Sequence, residues 1–188
     1  MDAVVLGGGI PQPDEPLYGL TQGKPKALLD ALQQAQSIEN IVVIGLPPES
    51  GVGCAKVRAF LPNQQTMVEN IIHGTLKLIE LNPSGEFTIL ASADVPAVTA
   101  EMIDWVARAA LESSDDIYYF VIERKVMETR FPGSRRSYTR LKDVEVCGGD
   151  VNVIRSAIVH RNPEIWERLT AARKNVFKQA ALIGIDTL

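Results

Sequence analysis

Two stretches of this chain combine residue types that could do chemistry at one place. The first is "AVVLGGGIPQPDEPLYGLTQGKPKALL", Ala3 to Leu29, in which Gly7, Gly8 and Gly9 follow an apolar run and Lys24 and Lys26 close the loop. Bare backbone lets a ligand come close because no Cβ stands in the way, and the free N–H groups of such a loop suit phosphate oxygens. The second is "ILASADVPAV", Ile89 to Val98, with Asp94 and Pro96 just past an apolar run. A carboxylate there is costly unless it is paired or bound to a metal. Neither common phosphate-binding spacing is present. "QGKPKA" has Pro25 where a P-loop needs Ser or Thr, and G-x-G-x-x-G would need glycine at Gln12. Two bland alternatives stand beside this reading: a structural turn at the glycines, and an aspartate that serves the helix starting near Thr99.

These residues need elements to position them. "AVVL" (Ala3 to Leu6), "IVVIG" (Ile41 to Gly45), "FTILAS" (Phe87 to Ser92) and "DIYYFVI" (Asp116 to Ile122) read as strands, and "DVEVCGGDVNVI" (Asp143 to Ile154) as a strand broken by a glycine pair. "LLDALQQAQ" reads as a short helix. The spacing of Met67, Ile71, Leu78 and Leu81 predicts a helix over "MVENIIHGTLKLIEL" with those four on one face. "TAEMIDWVARAALE" starts with Thr99 as N-cap and Glu101 in its first turn, and the tail from Pro163 to Leu182 is helical by pattern. Continuous apolar strands separated by helices predict an α/β fold of three layers, helices covering both faces of a mostly parallel sheet. Ligands of open α/β sheets bind beyond the carboxyl ends of the strands, where the glycines and Asp94 would meet.

A chain of 188 residues without linker, repeat or low-complexity segment suits one domain, 1–188. Its net charge of −4 argues against a nucleic-acid partner held by bulk electrostatics. No apolar run approaches a transmembrane length and no signal peptide precedes "AVVL", so no membrane partner is expected and the cytoplasm is the expected compartment. Cys54, Cys147, His73 and His160 lack metal-ligand spacing, which excludes a zinc site of the usual kind.

In order and spacing, "VVLGGG", "GKPKALL", "NQQTMVENIIHG" and "ADVP" resemble the GT-A-type nucleotidyltransferases, in particular the MobA-like group similar to molybdenum-cofactor guanylyltransferase. "RFPGSRRSYTRLKDVEVCGGDVNVI" is similar to a stretch in a less characterised branch of that family, so the resemblance spans most of 1–155. It implies Mg²⁺-dependent transfer of a nucleoside monophosphate from an NTP to a phosphorylated small-molecule acceptor, with release of pyrophosphate. Backbone from Leu6 through Gly7 and Gly8 to Gly9 would hold base and sugar, Lys26 (Lys24 as runner-up) would contact phosphates, and Asn70 would hydrogen-bond the nucleotide. Asp94 would bind Mg²⁺, and Asp150 matches the place of a second metal-binding residue. Such chemistry needs a cation and a lysine to stabilise charge, and no protein nucleophile.

The chain departs from the resembled family after Lys26, where only Ala27 to Glu39 precede "NIVVIG", and members of that branch continue beyond "AALIGIDTL", so the helical part 155–188, and with it the acceptor-binding part, is expected to be incomplete. A GT-A glycosyltransferase is the alternative enzyme, disfavoured because "ADVP" lacks the second carboxylate of a D-x-D; a non-catalytic nucleotide-binding protein is the third reading. Seven of the 19 Lys and Arg lie between Arg124 and Lys142, offset only by Glu128. This connection either covers the site and attracts the acceptor's phosphate through Arg135 and Arg136, or is a solvated excursion or a contact in a homodimer. Tyr138 either stacks on a base or sugar or packs half-buried. Cys147, Trp105 and Trp166 are expected as packing, and His73 as a surface residue.

Overall fold

The structure, a computed structural model, describes residues 1–7, 26–134, 136–161 and 166. The expected helix over Pro163–Leu182 therefore lies outside the described residues except for Trp166, which is buried.

The apolar runs form the centre of a six-stranded sheet. β1 (Asp2–Leu6) and β2 (Ile41–Ile44) are buried almost throughout, as continuous Val/Ile runs require when both sheet faces are covered. β1 pairs in parallel with β2 on one side and with β4 (Phe87–Ser92) on the other. β3 (Val57–Leu61), which the sequence reading missed, extends the parallel part beyond β2. β9 (Val151–Arg155) runs antiparallel to β4, and β5 (Ile117–Tyr118) antiparallel to β9. The order is β3-β2-β1-β4-β9-β5, so the chain winds outward from β1 in both directions. In a sheet of that kind the ligand crevice opens at the carboxyl ends of the two strands where the winding reverses. Those strands are β1 and β4.

Helices cover both faces. On one, α1 (Lys26–Gln34) buries Leu28, Leu29, Ala31 and Leu32 beside α3 (Ala100–Ala110), which buries Ile103, Val106, Ala107 and Ala110. Asp104 of α3 joins them by accepting from the Ser37 amide (2.8 Å), the Ser37 hydroxyl (2.6 Å) and the Gln36 amide (3.1 Å) just past α1. On the other face, α2 (Met67–Leu81) lies against β1 and β2. Gly74 lets it approach closely, since a Cβ there would stand 2.6 Å from Val4 Cγ1. Ile71 and Leu78 are buried as expected, but Met67 is 55% and Leu81 41% exposed. Those two stand at the first and last positions of the 15-residue helix, outside the buried stretch that runs from Asn70 to Leu78. Among the described residues no helix is long and apolar enough to cross a membrane.

Two expected strands are each divided between sheets. "DIYYFVI" supplies β5 to the large sheet and then β6 (Val121–Glu123) to a small antiparallel one; "DVEVCGGDVNVI" supplies β8 (Glu145–Gly148) to the small sheet and β9 to the large. The small sheet has the order β6-β8-β7, with β7 at Thr139–Arg140. The connection expected between Arg124 and Lys142 contains α4 (Arg124–Arg130) as well as β7. Both chain segments change sheets side by side. The Gly149 amide donates to the Phe120 carbonyl (2.8 Å), and Asn152 accepts from the Phe120 amide (3.0 Å) while donating to the Gly149 carbonyl (3.1 Å). A Cβ on Gly149 would stand 2.9 Å from Phe120 O, so a bare residue at 149 is what permits this approach.

Candidate active site

Hydrogen bonds continue past the strand ends and fix one common edge. The Gly7 amide donates to the Ile44 carbonyl (2.7 Å), the Gly45 amide to Leu61 (2.9 Å), the Ala93 amide to Leu6 (3.1 Å) and the Ser92 amide to Asp150 (3.0 Å). The first glycine, the residues leading to Asp94, and Asp150 therefore share the carboxyl edge of β1 and β4.

Gly45 is the residue the sequence reading missed here. It has φ +89°, and a Cβ on it would lie 1.7 Å from the Gly7 carbonyl oxygen. Its only sequence signal is a glycine directly after a buried strand. Leu6 and Gly7 stand where the glycine loop leaves β1; Gly8, Gly9 and Lys24 lie outside the described residues.

Asp94 is exposed and has no hydrogen bond or ion pair among the described residues. It does not cap the following helix. Thr99 does so, accepting from the Met102 amide (3.3 Å), as its sequence position predicts. Asp150 directly precedes Val151, the strand partner of Ala91; its carbonyl accepts from the Ser92 amide and its Oδ2 lies 3.0 Å from Arg136 Nη2. Among the described residues no cluster of three or more acidic, Cys or His side chains gathers as for a metal.

Lys26 opens α1 and pairs with Asp30 one turn on (2.8 Å), with its side chain 75% exposed. An exposed pair of this kind contributes about 0.3–0.5 kcal/mol and is readily exchanged for another anion. Asn70, on α2, is buried and turned to the loop after β3: it accepts from the Gln64 amide (2.7 Å) and donates to Asn63 (2.9 Å). Gln65 in that loop has φ +59°, a left-handed conformation uncommon for a residue with a Cβ, and Thr66 with Glu69 closes a capping box on α2 beneath it. Asn70 thus shapes a loop that opens on the same edge.

Of the basic stretch, Arg135 lies outside the described residues and Arg136 belongs to the edge. Partial burial pulls the Arg136 pKa down, but the Asp150 carboxylate and the neighbouring Cys147 more than offset this and hold the guanidinium charged. Arg124 pairs with Glu128 (2.8 Å) and Glu145 (3.3 Å) and stands over the Tyr138 ring. Tyr138 is half-buried, with a buried hydroxyl that has no partner among the described residues. Cys147 is buried and His73 exposed, as expected, and Trp166 packs under the α2 face. Trp105 is a correction: it is 57% exposed and meets Phe120 edge-on, ring centroids 5.7 Å apart.

No family model matches this chain, and no curated protein does. Solved structures do. A structure described as a hypothetical transferase from Thermus thermophilus superposes with a TM-score of 0.69 at 24% identity, over 98% of this chain and 78% of that one. A CMP:2-keto-3-deoxy-manno-octonic acid synthetase complexed with CTP gives 0.63 at 10% identity, over 98% and 86%. The 2-C-methyl-D-erythritol 4-phosphate cytidylyltransferase of Francisella tularensis gives 0.60 at 12% identity, over 97% and 85%. One of these three is thus described as a cytidylyltransferase and one as a synthetase complexed with CTP, and the fold shared with them is the expected α/β architecture with a mostly parallel sheet.

Proposed function

We propose that this chain is a nucleotidyltransferase that moves a nucleoside monophosphate from an NTP to a phosphorylated small molecule and releases pyrophosphate. The observation that carries this reading is the common edge: the exit of the glycine loop, the residues before Asp94, and Asp150 are bonded to one another at the point where the sheet's winding reverses. The fold's occurrence in a cytidylyltransferase and a CMP-sugar synthetase supports the reaction class. The resemblance of "VVLGGG", "GKPKALL" and "ADVP" to the MobA-like group is what points to that branch.

In the reaction an oxygen of the acceptor's phosphate attacks the α-phosphorus, the bond from that phosphorus to the β-bridging oxygen breaks, and its electron pair leaves with pyrophosphate. The backbone of Leu6 and Gly7, with Gly8 and Gly9, would hold the nucleoside, Asn70 would present its loop to it, and Lys26 would leave Asp30 for the phosphates. Arg136, with Arg135, would take the acceptor's phosphate. Charge builds on the non-bridging oxygens, where preorganised donors act most strongly. For a divalent cation the donor set fits: Mg²⁺ takes one or two carboxylates and completes its shell with phosphate and water oxygens. Asp94 has no partner among the described residues, and Asp150 already accommodates a cationic group. When bound, Mg²⁺ would offset the charge developing on the phosphates.

The test is a thermal-shift series with each NTP, with and without Mg²⁺, followed by a pyrophosphate-release assay against a panel of sugar and polyol phosphates. Binding with release supports the proposal. Binding without release under every acceptor would favour a nucleotide-binding protein that does not catalyse, and no shift with any nucleotide would sink both.

A further inference from the structure

Asp150 holds a cation that belongs to the chain itself, and the two partners differ in how firmly they are mounted. The Asp150 turn is fixed from three sides, by the Ser92 amide on its carbonyl, by the Gly149–Phe120 bond, and by Asn152 bridging Phe120 and Gly149. Arg136 comes from irregular chain between α4 and β7 and reaches in with one nitrogen, Nη2, which donates to the Gly148 carbonyl (2.7 Å) and forms an ion pair with Asp150 Oδ2 (3.0 Å). Their side chains are 34% and 38% exposed, so solvent and ions reach both. A guanidinium carries five N–H donors in a fork that matches a phosphate once the carboxylate is released.

We propose that Arg136 is a built-in counter-ion exchanged during substrate binding: it holds Asp150 in the empty protein, yields that carboxylate to the divalent cation, and as a freed guanidinium becomes the ligand of the acceptor's phosphate. The inference rests on the transferase reading of the same edge. It sets an order, cation and nucleotide before acceptor, because the acceptor's cationic partner is engaged until Asp150 is taken. It also makes the two ligands cooperative, and reciprocally so: a phosphate on Arg136 must strengthen cation binding by the factor by which the cation strengthens phosphate binding. Without the pairing, a phosphorylated acceptor would meet Arg136 equally well in the presence or absence of metal.

The test uses the full chain and Mn²⁺ alone, followed by the free-ion electron paramagnetic resonance signal. Arg136→Gln removes the competitor and is expected to bind Mn²⁺ about two- to fivefold more tightly than the wild type, the range of an exposed ion pair. In the wild type, glycerol 3-phosphate as a probe should tighten Mn²⁺ binding, and Arg136→Gln should abolish that coupling. Asp150→Asn should lose the Mn²⁺ site and the coupling together. Equal or weaker Mn²⁺ binding by a folded Arg136→Gln chain, coupling that survives the substitution, or no Mn²⁺ binding by either protein at millimolar concentration would each overturn the exchange. If Arg136→Gln does not fold, Arg136→Lys decides in the same way, with a smaller rise expected. Pyrophosphate release from a chain whose Mn²⁺ affinity ignores residue 136 would leave the transferase reading standing while the exchange falls.

Discussion

The backbone amide of Ser92 donates to the carbonyl of Asp150 at 3.0 Å, which ties the carboxyl end of β4 to the turn at which the chain passes from the small sheet to the large one. Asp94 lies two residues beyond Ser92. One hydrogen bond therefore brings the two acids of the site, 56 positions apart in sequence (150 − 94), to neighbouring chains at one edge.

Asp94→Asn should abolish most transfer while leaving the fold intact. The side chain is exposed and unpartnered among the described residues, and substitutions at such positions change stability by about 0.5 kcal/mol or less. Turnover is expected to fall by about 10²-fold or more, as on loss of one charge-stabilising group. Pyrophosphate-release kinetics beside a thermal melt check this, and an unchanged kcat would remove Asp94 from the machinery.

Lys26 and Asp30 should separate cleanly in activity. Lys26→Ala is expected to lower turnover by about 10²-fold, whereas Asp30→Ala, which only releases the lysine from its helix partner, should leave kcat equal or higher. Both should cost about 0.5 kcal/mol or less in stability. Equal losses in both variants would mean that the ion pair itself matters.

Gly45→Ala should damage fold and nucleotide binding together. At φ +89° the new Cβ is strained, which costs about 1–2 kcal/mol, and it would also press on the Gly7 carbonyl at 1.7 Å. A Tm lowered by several degrees with weaker NTP-induced stabilisation is expected. A melt identical to wild type would contradict the close approach.

Asp104 gives a pH signature distant from the site. Burial raises its pKa, but bonds from the Ser37 hydroxyl, the Ser37 amide and the Gln36 amide together outweigh burial and leave it below the ordinary Asp value. Because the folded pKa is depressed, this stabilisation is fully present above the unfolded pKa of about 3.9 and is lost as pH falls through the folded value. Asp104→Ala should cost about 1–3 kcal/mol at neutral pH, and the difference from wild type should shrink on acidification. Urea melts at pH 7 and pH 3 measure both.

Much of the frame was legible because its causes are local. β1, β2 and β4 are built around the apolar runs "AVVL", "IVVI" and "ILA", Thr99 and Glu101 announce α3, and the period of "MVENIIHGTLKLIEL" announces α2. β3 escaped because its arginine interrupts the apolar run of "VRAFL". The two divided strands escaped for a deeper reason. β8 and β9 have the same kind of residues on either side of Gly148 and Gly149, and nothing in that composition says that one pairs with β6 and the other with β4.

What the sequence determined by itself was the layered α/β frame and the placing of glycines and Asp94 at strand ends, since hydrophobic period, caps and strand termini are properties of neighbouring residues. Tertiary structure alone decided that Gly45 must be bare against Gly7, that Asn70 turns to Asn63 and Gln64, and that Arg136 sits on Asp150. Those are contacts between segments brought together only by strand order and by the side-by-side change of sheets, and a pairwise contact leaves no periodic trace in either segment.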